Sequence, residues 1–304
     1  MRVTLSNRII TLTAGAVIAL GAQALLPQGA AAGTGPARTG PARAGSAGRG
    51  APWLTGDTAG AGLRWAHGGA VADAVGKIFF TLGSTDYVCS GALVRSAHVD
   101  VVLTAAHCVS GGHGQWATNW TFVPGYRDGT EPFGQYTARR FFVSPKWAGP
   151  DGGTERYDVA FVQVTRSTLD GRSRVAAAPP GLPVTFAPRQ TAAALPRTYV
   201  FGYPALAPFS GLYPNYCAGR SRVVRAGQRV GSAVTACAMS AGDSGGPWFS
   251  GFSPRAGRGG VVAVTAYKLS GEPRTLYGTV LGRSARALYL AATRAVRVGH
   301  TIRS

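Results

Sequence analysis

The sequence has 304 residues, of which 45% are hydrophobic and 14% charged, so it can bury the core of one large domain or two modest ones. Its 31 Lys and Arg residues outnumber its 12 Asp and Glu residues, which gives a formal net charge of +19 at pH 7. After residue 32 the sequence has no apolar run long enough to cross a membrane, and no collagen-like or Gln/Asn-rich tract. Integral membrane, fibrous and wholly disordered proteins are therefore excluded.

Residues 1–32 have the pattern of an export signal. Arg2 and Arg8 give a positive start, residues 9–26 are apolar, and three alanines at 30–32 form a small-residue cleavage site. An uncleaved anchor helix is the alternative, but Pro27 ends the apolar stretch early. We therefore predict a secreted protein with no transmembrane segment after signal cleavage, and an oxidising destination in which cysteines pair.

Residues 33–70 form a low-complexity segment rich in Gly, Ala, Pro and Arg, with Thr-Gly-Pro-Ala-Arg repeated at 34–38 and 39–43. Such a composition buries too little apolar surface to offset its ordering entropy, which predicts a propeptide or a linker. Its few large side chains leave open that part of it docks on the following domain, as a pro-segment would. These side chains are Trp53, Leu54, Leu63 and Trp65.

Residues 71–304 have the sequence pattern of a β domain, with short runs of β-branched and aromatic residues between turn residues. Close spacing of short strands predicts an all-β barrel or sandwich. The predicted strands are 77–82, 92–94, 99–103, 120–123, 140–143, 159–164, 198–201, 222–224, 246–249, 261–267 and 276–281. Residues 284–296 have helical spacing, with Ser284 as the expected N-cap.

Three segments carry residues suited to catalysis. Leu-Thr-Ala-Ala-His-Cys at 103–108 places His107 just after an apolar strand, and Tyr-Asp-Val-Ala-Phe at 157–161 places Asp158 at the start of another. Gly-Asp-Ser-Gly-Gly-Pro at 242–247 places Ser244 in a glycine-rich turn. Peptide cleavage by a hydroxyl needs a base, a carboxylate that orients the base, and donors for the oxyanion. Ser244 can supply the hydroxyl, His107 the base and Asp158 the carboxylate. The N–H groups of Gly242 and Ser244 can supply the oxyanion donors.

The order His, Asp, Ser along the chain is that of the chymotrypsin fold. With these motifs, and with Cys-Ser-Gly-Ala-Leu at 89–93, the sequence over residues 75–297 resembles chymotrypsin-fold, trypsin-like serine peptidases. Within that family, residues 123–126, 157–161 and 201–204 are most similar to secreted bacterial members, including V8-like peptidases. The resemblance implies two antiparallel six-stranded barrels with the catalytic cleft between them and a C-terminal helix. The crossover between barrels is expected near residues 169–187, where Pro and Gly concentrate.

The four cysteines allow three pairings. The resemblance implies a bridge between Cys89 and Cys108 beside His107. With the export signal and the even count, we also predict a bridge between Cys217 and Cys237 in the wall that leads to Ser244. The dispersed cysteines and five histidines do not form a metal-ligand pattern, so we expect no metal and no cofactor.

The expected substrate pocket departs from the trypsin pattern. Ala238 stands where the trypsin branch carries an Asp, and Ala266, Tyr267 and Lys268 stand for its Ser-Trp-Gly strand. Lys268 either acts in the pocket, by narrowing it or by attracting an acidic side chain, or faces solvent at a strand end. Glutamyl-specific relatives carry a His near Thr265, and this sequence does not, which argues against a preference for Glu. No Lys or Arg precedes an Ile-Val-Gly-Gly start, whose new N-terminus binds such an Asp in trypsin-branch zymogens, so Asp243 is expected to have another partner.

The predicted function is that of a secreted, monomeric serine endopeptidase acting on protein or peptide substrates. The alternatives are a catalytically weak binding protein on a protease fold and an esterase. The excess of Arg favours loose association with an anionic cell envelope. No motif indicates a specific nucleic-acid partner.

Overall fold

A computed structural model describes residues 9–11, 58–97, 99–167, 177–186, 195–224 and 232–294. The strands in chain order are β1 (Ile9–Thr11), β2 (Leu63–Arg64), β3 (Val75–Leu82), β4 (Thr85–Val94), β5 (Asp100–Thr104), β6 (Ser110–Gly112), β7 (Gln115–Trp116), β8 (Thr118–Pro124), β9 (Gln135–Val143), β10 (Ala160–Ser167), β11 (Leu195–Gly202), β12 (Asn215–Val223), β13 (Ser232–Ala236), β14 (Pro247–Ser253), β15 (Arg258–Leu269) and β16 (Thr275–Val280). The helices are α1 (Ala70–Ala74) and α2 (Arg283–Thr293).

Twelve of these strands form two antiparallel barrels. The first closes in the order β10-β5-β4-β3-β8-β9. The second runs β15-β14-β11-β12-β13-β16, and β16 pairs back on β15 to close it. The predicted all-β fold of two six-stranded barrels with a C-terminal helix is confirmed.

The predicted strands overlap every barrel strand except β13. Its sequence, Ser-Ala-Val-Thr-Ala, has small side chains and only two β-branched residues, so it lacks the apolar signal of its neighbours. Pairing on both sides, with β12 and β16, supplies the order that local propensity does not.

The helix α2 covers one side of the first barrel. Tyr289 packs its ring 5.5 Å from that of Phe161 and donates its hydroxyl to the Arg95 carbonyl at 2.6 Å. The expected N-cap is wrong: Gly282 caps the helix without a side-chain hydrogen bond, and Ser284 lies inside the first turn. Residue 296, the predicted end, lies outside the described residues. None of the described helices is long and apolar enough to cross a membrane.

Residues before the predicted domain start are packed on the second barrel. β2 pairs with β12, and the buried Trp65 meets the rings of Phe201 and Tyr216 edge-on at 5.2 Å. Trp65 therefore docks on the following domain, which is the alternative that the sequence left open. Trp53 and Leu54 lie outside the described residues. In the predicted crossover, Leu182 bridges to Val94 of the first barrel, and Val184 bridges to Val261 of the second.

Candidate active site

His107 and Asp158 lie at the paired ends of two neighbouring strands. β5 and β10 are antiparallel, with Thr104 opposite Ala160. The chain leaving β5 therefore meets the chain entering β10 at one end of the first barrel. His107 follows β5 in the 3-10 turn Ala106–Cys108, and Asp158 lies just before β10. Strand register therefore brings the segments that carry the two side chains to the same end of the barrel.

The Asp158 carboxylate holds His107 through two hydrogen bonds. Its Oδ1 accepts from the His107 backbone N–H at 2.9 Å, and its Oδ2 lies 2.8 Å from Nδ1. Both residues are at most 5% exposed, so water competes little for these bonds. Because an ionised carboxylate only accepts, Nδ1 carries the proton and Nε2 keeps its lone pair. Nε2 is buried, and no described group hydrogen-bonds to it.

Ser244 belongs to the second barrel but lies against the His107 turn of the first. Its carbonyl oxygen accepts from the Ser90 N–H at 2.7 Å and lies 3.7 Å from Sγ of Cys108, the neighbour of His107. Gly245 permits this approach: its φ is +77°, and a Cβ there would overlap Oγ1 of Thr104. The barrel interface thus places Ser244 next to the His107 segment.

The backbone around Gly242 is fixed by hydrogen bonds on both sides. The Ala241 carbonyl accepts from the Ala205 N–H at 2.7 Å, and the Gly242 carbonyl accepts from the Ser90 hydroxyl at 2.7 Å. In a trans peptide, the N–H points opposite to the preceding carbonyl, so the first bond turns the Gly242 N–H away from Ala205. Gly242 has a φ of +98°. A fixed N–H of this kind can stabilise a developing oxyanion.

Two disulfides bracket these segments. Cys89 is bonded to Cys108 and Cys217 to Cys237, which are the two predicted pairs. The first joins β4 to the turn that carries His107. The sulfur atoms of Cys89 and Cys108 lie within 4.8 Å of one ring nitrogen of His107, but because they are bonded to each other they are not thiolate ligands for a metal.

The residues predicted to line the substrate pocket lie in two segments, one before and one after the Ser244 turn in the sequence. Ala238 is partly buried, and its N–H donates to the Gly60 carbonyl at 2.8 Å, while Ala266 and Tyr267 are buried in β15. The Tyr267 ring stacks on Tyr277, with 4.9 Å between centroids.

Lys268 does not face solvent. It is largely buried, and its Nζ donates to the Pro273 carbonyl at 2.6 Å. Burial lowers the pKa of Lys268, and the Asp243 carboxyl opposes that shift. Of the two alternatives for this side chain, the solvent-facing one is therefore wrong.

The edge of β15 next to the Ser244 turn accepts an extended segment. One edge of β15 pairs with β16 at Tyr267, and β14 occupies the other edge only as far as Val264, opposite Pro247. β1 continues along that second edge, with Ile10 opposite Lys268 and Thr11 opposite Tyr267. An antiparallel peptide can therefore pair with β15 beside Ser244.

Two hydroxyl residues of this region were not predicted from the sequence. Ser90 binds the Gly242 carbonyl, and Thr265 donates its hydroxyl to Asp243 at 3.1 Å between Oγ1 and Oδ2. The sequence does contain one signal for Ser90, because it is a hydroxyl residue within the apolar run 88–94. A hydroxyl that such a run buries needs a hydrogen-bond partner. Thr265 is a β-branched residue in a strand and carries no such signal.

Comparison with known proteins places the chain in a family. A family model described as a trypsin-like peptidase domain matches residues 89–253, which include His107, Asp158 and Ser244. The chain belongs to the trypsin-like peptidase family. A search of curated proteins finds no match for this peptidase.

Solved structures agree with this assignment. The peptidase is 36% identical to protease Anisep from Arthrobacter nicotinovorans, with a TM-score of 0.63 over 73% of this chain and 95% of that one. It is 30% identical to the thermostable serine protease AL20 from an extremophilic microorganism, with a TM-score of 0.63 over 75% of this chain and 100% of that one. A Glu endopeptidase, 17% identical with a TM-score of 0.57 over 76% of this chain and 96% of that one, shares the fold. The protein is a serine endopeptidase.

Proposed function

We propose that this peptidase cleaves peptide bonds with Ser244 as nucleophile, His107 as general base and Asp158 as the carboxylate that orients the base. The observation that carries the proposal is the double hydrogen bond between Asp158 and His107. It holds the ring in the tautomer whose Nε2 can accept a proton, at the interface where the Ser244 turn meets the first barrel.

In the acylation step, Ser244 Oγ attacks the carbonyl carbon of the scissile bond while His107 Nε2 takes the hydroxyl proton. Asp158 stabilises the imidazolium that forms. The oxyanion accepts hydrogen bonds from the Gly242 and Ser244 N–H groups. When the tetrahedral intermediate collapses, the C–N bond breaks and the imidazolium gives its proton to the leaving amine, which leaves an acyl ester on Ser244.

Deacylation repeats these steps with water as the nucleophile. His107 Nε2 takes a proton from the attacking water, and the same N–H groups bind the second oxyanion. The ester bond then breaks, and the proton returns from His107 to Ser244 Oγ. The products are a free carboxylic acid and the regenerated hydroxyl.

We expect the substrate to bind as an extended strand on β15, in the register that β1 takes beside Lys268 and Tyr267. Ala238 offers no carboxylate to a basic side chain, so cleavage after Lys or Arg is not expected to dominate. The ammonium of Lys268 is engaged by Pro273, which argues against a pocket built mainly around that charge.

Secretion is part of the proposal. Two disulfides support it, because such bonds persist in oxidising compartments. The net charge of +19 supports loose attachment to an anionic envelope, which salt should release.

Covalent labelling tests the proposal directly. The protein carrying both disulfides should react with a fluorophosphonate, and Ser244→Ala should abolish labelling while keeping the circular dichroism spectrum. Ser253→Ala, which removes an exposed hydroxyl at the far end of β14 from the turn, is the matched control and should still be labelled.

A diverse peptide library read by mass spectrometry then identifies the bonds that are cleaved. Folded wild type that neither reacts with the fluorophosphonate nor cleaves any peptide would contradict the proposal and leave a binding protein. Hydrolysis of p-nitrophenyl esters without cleavage of any peptide would instead point to an esterase.

A further inference from the structure

Ser90 lies in β4 of the first barrel and is completely buried against the second barrel. Its hydroxyl donates to the Gly242 carbonyl at 2.7 Å and accepts from the Tyr203 N–H at 2.8 Å. Its backbone N–H donates to the Ser244 carbonyl at 2.7 Å, and its own carbonyl accepts from the Thr104 hydroxyl at 2.8 Å. Three of these four bonds lead to the second barrel.

The Ser90 hydroxyl acts on the segment that presents the Gly242 N–H. Gly242 has a positive φ and lacks a side chain, so steric contacts of its own restrict rotation of the adjoining peptide planes only weakly. The Ala205 N–H holds the plane before Gly242, and the Ser90 hydroxyl holds the plane after it. The bond from Tyr203 also ties the same hydroxyl to the 203–205 segment, from which Ala205 donates.

We propose that Ser90 is a positioning residue for catalysis, whose hydroxyl holds the Gly242 N–H in the direction that stabilises the oxyanion. The inference rests on the proposed function, in which Gly242 is an oxyanion donor. Without the hydroxyl, the Gly242 carbonyl and the Tyr203 N–H lose their shared partner in a buried site. Such unpaired groups are costly, which favours rotation of the Gly242 peptide planes toward new partners.

The expected kinetic effect is specific. A correctly aimed N–H stabilises the oxyanion more than it stabilises the bound substrate, so its loss lowers kcat and leaves KM nearly unchanged. Removing an oxyanion donor outright costs about 100- to 1,000-fold in kcat, and losing only its alignment should cost less, on the order of 10- to 100-fold.

The experiment compares Ser90→Ala with wild type and with Ser110→Ala. Ser110 is a matched control: its buried hydroxyl also bridges a carbonyl and an N–H, those of Gln115 and Gly112, away from the nucleophile turn. The probes are the library peptide that wild type cleaves fastest and the peptide aldehyde that ends at its scissile residue. The aldehyde adduct places an oxyanion where the intermediate does, whereas KM reports on ground-state binding.

For Ser90→Ala we expect kcat and aldehyde affinity to fall together by roughly 10- to 100-fold, with KM changed less than threefold and Ser110→Ala close to wild type. Ser90→Thr, which keeps a hydroxyl, should recover part of the loss. Equal aldehyde affinity and kcat in wild type and Ser90→Ala would overturn the inference, as would a fall in thermal stability alone. The proposed function fails separately, if wild type itself is neither labelled nor active.

Discussion

Thr265 donates its hydroxyl to the carboxyl of Asp243, the residue immediately before Ser244, with 3.1 Å between Oγ1 and Oδ2. Trp248 donates Nε1 to the same Thr265 oxygen at 2.9 Å. The second carboxyl oxygen of Asp243 is buried against Gly202, and no described group hydrogen-bonds to it. Asp243 is thus held by a neutral hydroxyl, and no described cation hydrogen-bonds to it.

This environment determines how Asp243 titrates. Burial raises the pKa of Asp243 well above its ordinary value, and the Thr265 hydroxyl and the Lys268 charge oppose the shift only in part. Between the ordinary pKa of Asp243 in the unfolded chain and its higher pKa in the folded protein, the folded protein binds more protons at this carboxyl than the unfolded chain does. Stability due to this group therefore falls as pH rises through that range.

Asp243→Asn removes the buried acid and keeps an oxygen for the Thr265 hydroxyl. We expect its free energy of unfolding, relative to wild type, to increase as pH rises from about 4 to 8, by at most about 1.4 kcal/mol per pH unit. Urea denaturation at several pH values measures this difference. We also expect kcat within about tenfold of wild type, because neutral hydrogen bonds hold the turn. A difference that shrinks with pH would show that Asp243 is charged and paired in the folded state.

Lys77 is a second buried ionisable group with a testable pH dependence. Its Nζ donates to the Gly211 carbonyl at 2.9 Å and lies 5.1 Å from the ring centres of Phe79 and Tyr126. Burial lowers the pKa of Lys77 to about 8. From about pH 8 up to the pKa of a lysine in the unfolded chain, the unfolded state binds more protons, so this group makes stability rise with pH.

Lys77→Met should therefore unfold with a larger free energy than wild type at pH 7, and this advantage should shrink between about pH 8 and 10, by at most about 1.4 kcal/mol per pH unit. Urea is the suitable denaturant because it adds no ionic strength. Lys146→Met, which removes an exposed lysine, controls for the change in net charge. A constant difference between Lys77→Met and wild type across this range would contradict the prediction.

Asp158→Asn tests the role of the carboxylate in orienting His107. An amide can donate to Nδ1 as well as accept from it, so it permits the tautomer whose Nε2 carries the proton and cannot act as a base. We expect kcat to fall on the order of 10³- to 10⁴-fold, with KM changed little. Steady-state kinetics on the best library peptide give both values. Turnover within tenfold of wild type would mean that Asp158 does not orient the catalytic base.

The amino-acid sequence by itself predicted an all-β class, most of the barrel strands and the segments that carry His107, Asp158 and Ser244, and its resemblance to a known family predicted the two barrels and both cysteine pairs. These features depend on short patterns of few residues, such as a glycine-rich turn around a serine or an apolar strand that ends before a histidine. The sequence missed β13 and misplaced the cap of α2, because neighbouring strands order the first and backbone geometry alone begins the second.

Only the tertiary structure decided how Ser90, Thr265 and Lys268 are used. Ser90 and Gly242 are 152 positions apart, and nothing near either residue in the sequence specifies the other as its partner. The sequence leaves open whether Lys268 faces solvent or the protein interior. In the structure its ammonium donates to the Pro273 carbonyl, which places it in the interior. Patterns along the chain identify a side chain when the residues that mark its role are its neighbours in the sequence. The role of a buried hydroxyl or ammonium depends instead on the polar groups that tertiary packing brings within hydrogen-bond distance.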